Sequence, residues 1–331
     1  MIGIIATVNP HKAAANPLTA HTYSLLGAFA TFLAMNFNAP EFNCITFLLR
    51  TKKRLSFQSQ SSHSKNSKPF YMNIWMTTGR IFFAIGIICL GVLHFFYPGI
   101  RPLLIPELTG IRSGLSFIGY FIGVLLIGAG LSMAIGKQFN NISLLMGIIF
   151  FLLFLFGHLP IFLSAGSFNK YWVNANKMIA LSGGFLVVST INQLKPRSKI
   201  MEMLARISPL GKYLFAIMLY NFGVGHFNNL EGISNIVPKY IPFPQFWTFL
   251  GGVALMGSGI SIFSKYKVKP ILLLLGLNLF IWLLMLHLYY NISYPKWQDG
   301  ENFIGSLTCL CFCGTALIIS QTASKKEQTL Q

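Results

Sequence analysis

Acidic residues are scarce in this chain, which has only 7 aspartates and glutamates among its 331 residues. Its apolar stretches contain no paired carboxylates, no phosphate-binding glycine loop and no Ser or Cys triad spacing. The 5 cysteines follow no pattern typical of a disulfide framework. These absences argue against self-contained hydrolytic catalysis, and they leave open whether the protein is an enzyme at all.

Charge of either sign is also rare, since charged residues make up 10% of the chain and hydrophobic residues 54%. A soluble domain has about 25% charged residues, and the mean hydropathy here is +0.62. Runs of about 20 apolar residues can each cross a bilayer. We therefore predict an all-α polytopic membrane protein with about eight transmembrane helices, four in each half. The predicted spans are 81–98, 116–135, 142–164, 175–194, 213–228, 246–264, 270–290 and 303–320.

The net charge of +18 has a regular distribution along the chain. Most lysines and arginines fall in every second connection between the predicted spans, and the alternate connections hold few. By the positive-inside rule, this pattern predicts that both termini are cytoplasmic. The basic excess is thus a topology signal and a contact for anionic lipid, and we expect no nucleic-acid partner.

An internal repeat relates the two halves of the chain. Gly79, followed by FFAI and later His94, is matched 132 positions on by Gly211, followed by LFAI and later His226. The offset then drops to 129, which pairs Gly123, Gly128, Gly130, Ser132, Gly147 and His158 with Gly252, Gly257, Gly259, Ser261, Gly276 and His287. We predict two parallel four-helix repeats related by an axis along the membrane normal.

The remaining segments differ from these repeats in composition. The start of the chain has one apolar run of about 15 residues, which is short for a span, and a polar Ser, Lys and Gln-rich stretch. We therefore expect a poorly structured extension there. We also expect that it is not native to the protein, with Met72 as an alternative start. The predicted divisions are 1–71 for this extension, 72–194 for the first repeat, 195–212 for a basic cytoplasmic linker, 213–321 for the second repeat and 322–331 for a cytoplasmic tail.

Three strings in the second half carry a family resemblance: GVGHFNN, IVPKYIPFPQFW and GGVALMGSGISI. They resemble the DoxX family of small four-helix membrane proteins, closely over 211–263 and more faintly over 79–135. The resemblance implies a tandem of two family units in a bacterial inner (plasma) membrane. Family members are associated with membrane redox systems, including thiosulfate-quinone oxidoreductase. Many carry a glutamate in the second helix, which this chain lacks, so the resemblance does not imply a proton-handling carboxylate.

Four histidines, His94, His158, His226 and His287, are the candidate cofactor-binding residues. An ionisable residue within a span is a functional candidate because its burial in hydrocarbon is costly. Histidine nitrogens can ligate haem or hydrogen-bond a quinone, and a rise of about 1.5 Å per residue predicts all four in the outer half of the membrane. The alternative is that each is an interfacial histidine bonded to a backbone carbonyl.

The cysteines of the last predicted helix form a CxCxC motif, Cys309, Cys311 and Cys313. In a helix the first and third share a face and the second points away. We interpret them as small packing residues, and we assign no metal site.

Two functions follow from these observations. The first is a membrane subunit of, or partner to, a redox system, binding quinone or haem near the outer face together with redox partner proteins. The alternative is a non-catalytic membrane scaffold or a carrier of small molecules or lipids. A carrier with parallel repeats needs polar groups near the midplane. The sequence offers few there, with Asn221, Asn278 and Ser132 as the main candidates, so the first function is preferred.

Overall fold

A computed structural model of the protein describes residues 74–97, 99–106, 116–136, 138–164, 169–191 and 198–322. Within these ranges the regular structure is helical and there is no β-strand. The predicted extension 1–71 and most of the predicted tail lie outside the described residues. Described helices, in chain order, are α1 Ile74–Phe96, α2 Ser116–Ile135, α3 Phe139–Ser164, α4 Lys170–Ser189, α5 Lys199–Ala205, α6 Gly211–Asn228, α7 Leu230–Ser234, α8 Pro244–Ser264, α9 Val268–Ser293 and α10 Glu301–Thr322.

Six of the described helices are long and apolar enough to cross a membrane, namely α1, α2, α3, α8, α9 and α10. They indicate a membrane protein in a lipid bilayer. Helices α4 and α6 lie at two further predicted spans but are less apolar. Polar residues explain this difference: α4 contains Asn174, Asn176 and Lys177, and α6 contains Lys212 and Asn221.

Several helix ends differ from the predicted runs. Helix α1 begins seven residues before the predicted start at position 81 and includes the buried Arg80. Its guanidinium donates hydrogen bonds to the carbonyls of Met133 and Ala134 at the end of α2, so the carbonyl end of that helix offsets its charge. Helix α4 begins five residues before the predicted position 175, because the Asn169 side chain accepts a hydrogen bond from the Trp172 amide at 2.9 Å and caps it.

The centre of the bundle is formed by α4 and α10. Helix α10 contacts α1, α9 and α4, and α4 also contacts α3 and α6, while α2 lies against α1 and α8 against α6. The most apolar stretch of the α10 span is 94% buried within the protein, whereas that of α9 is 17% buried. Large apolar side chains such as Phe117, Phe156 and Leu274 are exposed on the outer helices, where a bilayer would cover them.

Helices α3 and α9 each contain one irregular turn at equivalent positions. Residues Phe154–His158 of α3 and Leu283–His287 of α9 each form a π-helical turn in the middle of an otherwise α-helical span. The two turns are 129 positions apart, as are the ends of the two helices. A π-helical turn contains an extra residue and is frequent at functional sites, and here each one ends on a candidate histidine.

Glycines allow the closest helix crossings. A methyl group placed on Gly79 would lie 2.6 Å from the Gly314 carbonyl oxygen, and one on Gly183 would lie 2.6 Å from the Gly211 carbonyl oxygen. The first pair joins α1 to α10 and the second joins α4 to α6. Backbones at this separation leave no room for a side chain, so these four glycines determine how the helices cross.

Candidate functional site

His94 lies in the last turn of α1 and is only 1% exposed. Its Nδ1 is 2.9 Å from the Leu90 carbonyl oxygen, one turn earlier in the same helix. A carbonyl can only accept, so Nδ1 carries the proton and Nε2 is left with a lone pair in the neutral ring. That Nε2 is buried and has no hydrogen-bond partner among the described residues.

A small cavity adjoins His94 beneath the loop that follows α1. Its volume is about 10 Å³, which is room for about one water molecule. It therefore fits neither a haem nor a quinone ring. The lining residues are Leu90, Leu93, His94, Arg101, Leu103, Leu104, Leu126, Phe150 and Ile304.

His158, at the end of the π-helical turn of α3, is also 1% exposed. Its Nε2 lies 3.3 Å from the carbonyl oxygen of Leu104, a residue of the loop that covers the cavity. The structure thus brings His94 and His158 to the same buried loop. Both rings are sealed from the surroundings of the protein, so they stabilise this end of the bundle and are closed to a large ligand.

His226 and His287 are in a more open environment, because both are partly exposed. His226 Nδ1 is 2.7 Å from the Phe222 carbonyl oxygen, which is the same arrangement as His94 with Leu90. Its ring lies beside Gly251 of α8, where an added methyl group would be 3.8 Å from Nε2. The His287 ring lies beside Gly305 of α10, where an added methyl group would be 3.5 Å from Nδ1.

The four predicted histidines therefore do not form one cluster. Among the described residues there is no group of three or more His, Cys, Asp or Glu side chains that could hold a metal ion. His94 and His158 share a covered loop, whereas His226 and His287 lie against glycines of two different helices, α8 and α10.

An ion pair near His287 was not predicted from the sequence. Lys177 of α4 lies 3.5 Å from Glu301 in the first turn of α10, and their side chains are 13% and 21% exposed. Lys177 also acts electrostatically on the His287 ring. The predicted span 303–320 leaves Glu301 outside the last helix, whereas the structure places it in the first turn of α10. Lys177 lies within the predicted span 175–194, and a lysine within a span usually has a charged partner. This signal in the sequence could have predicted the ion pair.

Two amide contacts add polar groups to the same part of the bundle. Asn221 of α6 donates to Asn176 of α4 at 2.8 Å, and Asn291 of α9 donates to Ser306 of α10 at 2.6 Å. Asn221 was predicted as a polar group near the midplane, and its partner was not. The Asn221–Asn176 contact, like the Lys177–Glu301 pair, joins the two halves of the chain, whereas the Asn291–Ser306 contact lies within the second half.

The loop after α1 is tied to the turn before α10. Arg101, 4% exposed, donates to the Asp299 carbonyl at 2.5 Å and lies 5.5 Å from the centre of the Tyr97 ring. The Tyr97 hydroxyl donates to the Pro295 carbonyl at 3.4 Å. Burial raises the pKa of Tyr97, with an opposing effect from Arg101. Tyr97 therefore stays a neutral donor and keeps the cavity covered.

The three cysteines of α10 contact backbone carbonyls of neighbouring helices. The thiols of Cys309 and Cys313 point to α9, 3.4 Å from Leu279 O and 3.1 Å from Gly276 O. The Cys311 thiol points to α1, 3.7 Å from Phe83 O. The prediction that the first and third share a face is confirmed. A related contact joins Ser182 of α4 to Gly147 O at 2.9 Å, and all three thiols pack as small weak donors.

The chain has no match among known proteins in three comparisons: no protein-family model matches it, and neither a curated protein nor a solved structure is similar to it.

Proposed function

We propose that this chain is an integral membrane protein of two parallel four-helix units, similar to DoxX-like proteins, and that its second unit binds a membrane quinol. In this proposal it is a subunit of, or a partner to, a membrane redox system. The observation that supports a ligand in the second unit is the partial exposure of His226 and His287, whereas His94 and His158 are buried.

The four-helix units are supported by features that recur at fixed offsets. The bounds and π-helical turns of α3 and α9 recur at 129, and the glycine crossing of α1 with α10 corresponds to that of α6 with α4. Helix α6, the shorter of the two less apolar helices, has 18 residues, or about 27 Å. That length is close to the hydrocarbon thickness of a bilayer, which supports eight spans.

Side-chain size supports a ligand in the second unit. His94 is closed in by Leu93 and by Phe150, which is replaced 129 positions on by Leu279. Likewise Gly225 stands beside His226 at the position of Leu93. Both positions thus have a smaller residue in the second half than in the first, and His226 is partly exposed where His94 is buried.

The tautomer of His226 selects the kind of ligand. Its Nδ1 donates to Phe222 O, so the neutral ring presents a lone pair on Nε2. This atom accepts a hydrogen bond from the hydroxyl of a quinol, and it cannot donate one to the carbonyl of a quinone. We therefore expect tighter binding of the reduced form. We propose the partly exposed His287, which lies on a different helix from His226, as a second polar contact for the quinol.

The test is binding of a short-chain ubiquinol and its quinone to the purified protein in detergent. Trp247 and Trp282, whose ring centres are 6.5 Å apart, provide a fluorescence signal. Trp247 lies one turn before Gly251, which adjoins the His226 ring, and Trp282 lies shortly before His287 in α9. Replacing His226 by alanine removes one hydrogen bond of about 1 kcal/mol, so the Kd for quinol should rise about fivefold. His287→Ala should have a similar effect.

The repeat provides matched controls. His94→Ala and His158→Ala should lower the melting temperature, since both rings are buried, and leave the quinol Kd within about twofold. His226→Gln and His287→Gln give the same test with less loss of packing. Equal weakening by all four alanine variants, or no effect of the His226 and His287 variants on Kd, would contradict the proposal.

A haem is tested on the same sample by a reduced-minus-oxidised optical spectrum. A lone pair on Nε2 with a protonated Nδ1 also suits axial ligation. We expect no haem signal, because a bis-histidine haem needs two rings facing one cavity. The cavity at His94 is too small for a haem, and the His226 and His287 rings lie against glycines of two different helices. A haem spectrum that is lost in His226→Ala would contradict the quinol proposal and would show that His226 binds a haem.

A further inference from the structure

A basic corner lies at the end of the bundle where α6 begins and α8 ends. We use this name for Lys212, Lys265, Lys267 and Lys269. The Tyr213 ring of α6 stacks on the Phe263 ring of α8 with centres 6.0 Å apart, and the Lys212 ammonium lies 5.3 Å from the Tyr213 ring. This stack brings the start of α6 next to the turn between α8 and α9, which contains the other lysines.

The turn between α8 and α9 holds two lysines in an unfavourable backbone conformation. Lys265 has a φ of 58° and Lys267 a φ of 45°, in the left-handed region that residues with a Cβ rarely adopt. The corresponding turn between α2 and α3 has Gly136, with a φ of 82°, in place of Lys265. Glycine adopts this conformation without steric cost, so backbone conformation does not favour a lysine at position 265. We therefore expect that the lysine is present for its side chain.

The chemistry of the corner suits a lipid headgroup. Lys265, Lys267 and Lys269 are exposed, and neither 206–213 nor 261–269 contains an acidic residue. Exposed Phe263 and Tyr266 lie beside the lysines. Basic residues next to aromatic side chains at the end of a span are the combination that binds anionic phospholipid at the membrane interface.

We propose that the basic corner binds the phosphate of an anionic phospholipid in the inner leaflet, the leaflet that the positive-inside rule predicts for these loops. Each lysine contributes a point charge to the phosphate. The Tyr213–Phe263 stack and Tyr266 contact the upper part of the acyl chains. The Ser261 hydroxyl, which donates to the Tyr266 carbonyl at 2.7 Å, keeps the turn in the conformation that presents the lysines.

The experiment compares thermal unfolding of the full chain in phosphatidylcholine micelles with and without phosphatidylglycerol. A ligand that binds the folded state raises the melting temperature, and we expect phosphatidylglycerol to raise it for the wild type. In Lys265→Gly this rise should fall by about half or more, because the variant loses one of the charges that attract the phosphate. In phosphatidylcholine alone, however, the variant should melt at the same or a higher temperature than the wild type.

These opposite effects separate lipid binding from a structural role. Lys212→Gln and Lys267→Gln should reduce the response to phosphatidylglycerol in the same way. Lys239→Gln and Lys296→Gln, exposed lysines of the outer connections, should leave it unchanged. A wild type that does not respond to phosphatidylglycerol would overturn the proposal. So would equal loss in the outer variants, or an equal response to inorganic phosphate, which would indicate a free-anion site.

Discussion

Replacing Gly314 or Gly79 by alanine should cause a large loss of stability. A methyl group on Gly79 would lie 2.6 Å from Gly314 O, and one on Gly314 would be closer still to Gly79 O. The contacting atoms belong to backbones, so neither can move aside without separating α1 from α10. Overpacking of this kind costs about 3 kcal/mol, so the melting temperature should fall by roughly 6 to 12 °C.

The control for this experiment is a glycine that faces no other helix. A methyl group on Gly128 or Gly257 would meet nothing within 4 Å. Alanine there should leave stability unchanged or raise it by up to about 1 kcal/mol, because glycine is unfavourable within a helix. Thermal unfolding in detergent, with size-exclusion chromatography for the folded fraction, measures both sets. Equal melting temperatures for Gly79→Ala, Gly314→Ala and the two controls would show that the crossing is not as close as described.

Breaking the ion pair between Lys177 and Glu301 should be the second largest effect. Lys177→Met leaves the Glu301 carboxylate, 21% exposed, without its partner. Loss of one member of a well-buried pair costs about 3 to 5 kcal/mol. Because this pair is partly open at its edge, we expect about 2 kcal/mol, or a fall in melting temperature of roughly 4 to 8 °C.

The double variant Lys177→Met, Glu301→Gln distinguishes a paired charge from lost packing. It removes both charges and should recover most of the stability lost in Lys177→Met. Lys296→Gln, an exposed lysine before α10, should change stability by no more than about 0.5 kcal/mol. If the double variant is as unstable as the sum of its single variants, the two side chains do not interact and the pairing is wrong.

The apolar character of the helices made most of the fold predictable. The predicted span 116–135 coincides with α2, because a helix that is apolar along its whole length has both of its ends marked by a change in hydropathy. The predicted end at position 164 also matches α3. Helix α4 was predicted too late because its first half is polar, and that polarity is satisfied only by partners on other helices, such as Asn221 for Asn176.

The candidate site was less predictable. His94 and His226 occur in similar strings and form the same contact with their own helix, so local sequence could not show that one is sealed and the other partly exposed. The burial of His94 involves neighbours distant in the chain, such as Phe150 and Ile304, which line the same cavity. The π-helical turns likewise depend on packing against other helices. Their sequences, Phe154–His158 and Leu283–His287, contain no signal that predicts a π-helical turn.

The burial of α10 has a consequence for how the protein is made. This helix is the last of the described ones, yet it packs against α1, the first described helix, and against α4 in the middle of the chain. Until α10 enters the membrane, the surface of α1 around Gly79 lacks the partner that it has in the folded protein, whereas α4 already has α3 and α6 beside it. The contact between α1 and α10 therefore forms only after residues 301–322 have been made, and a chain interrupted before residue 301 leaves the glycine-lined surface of α1 uncovered.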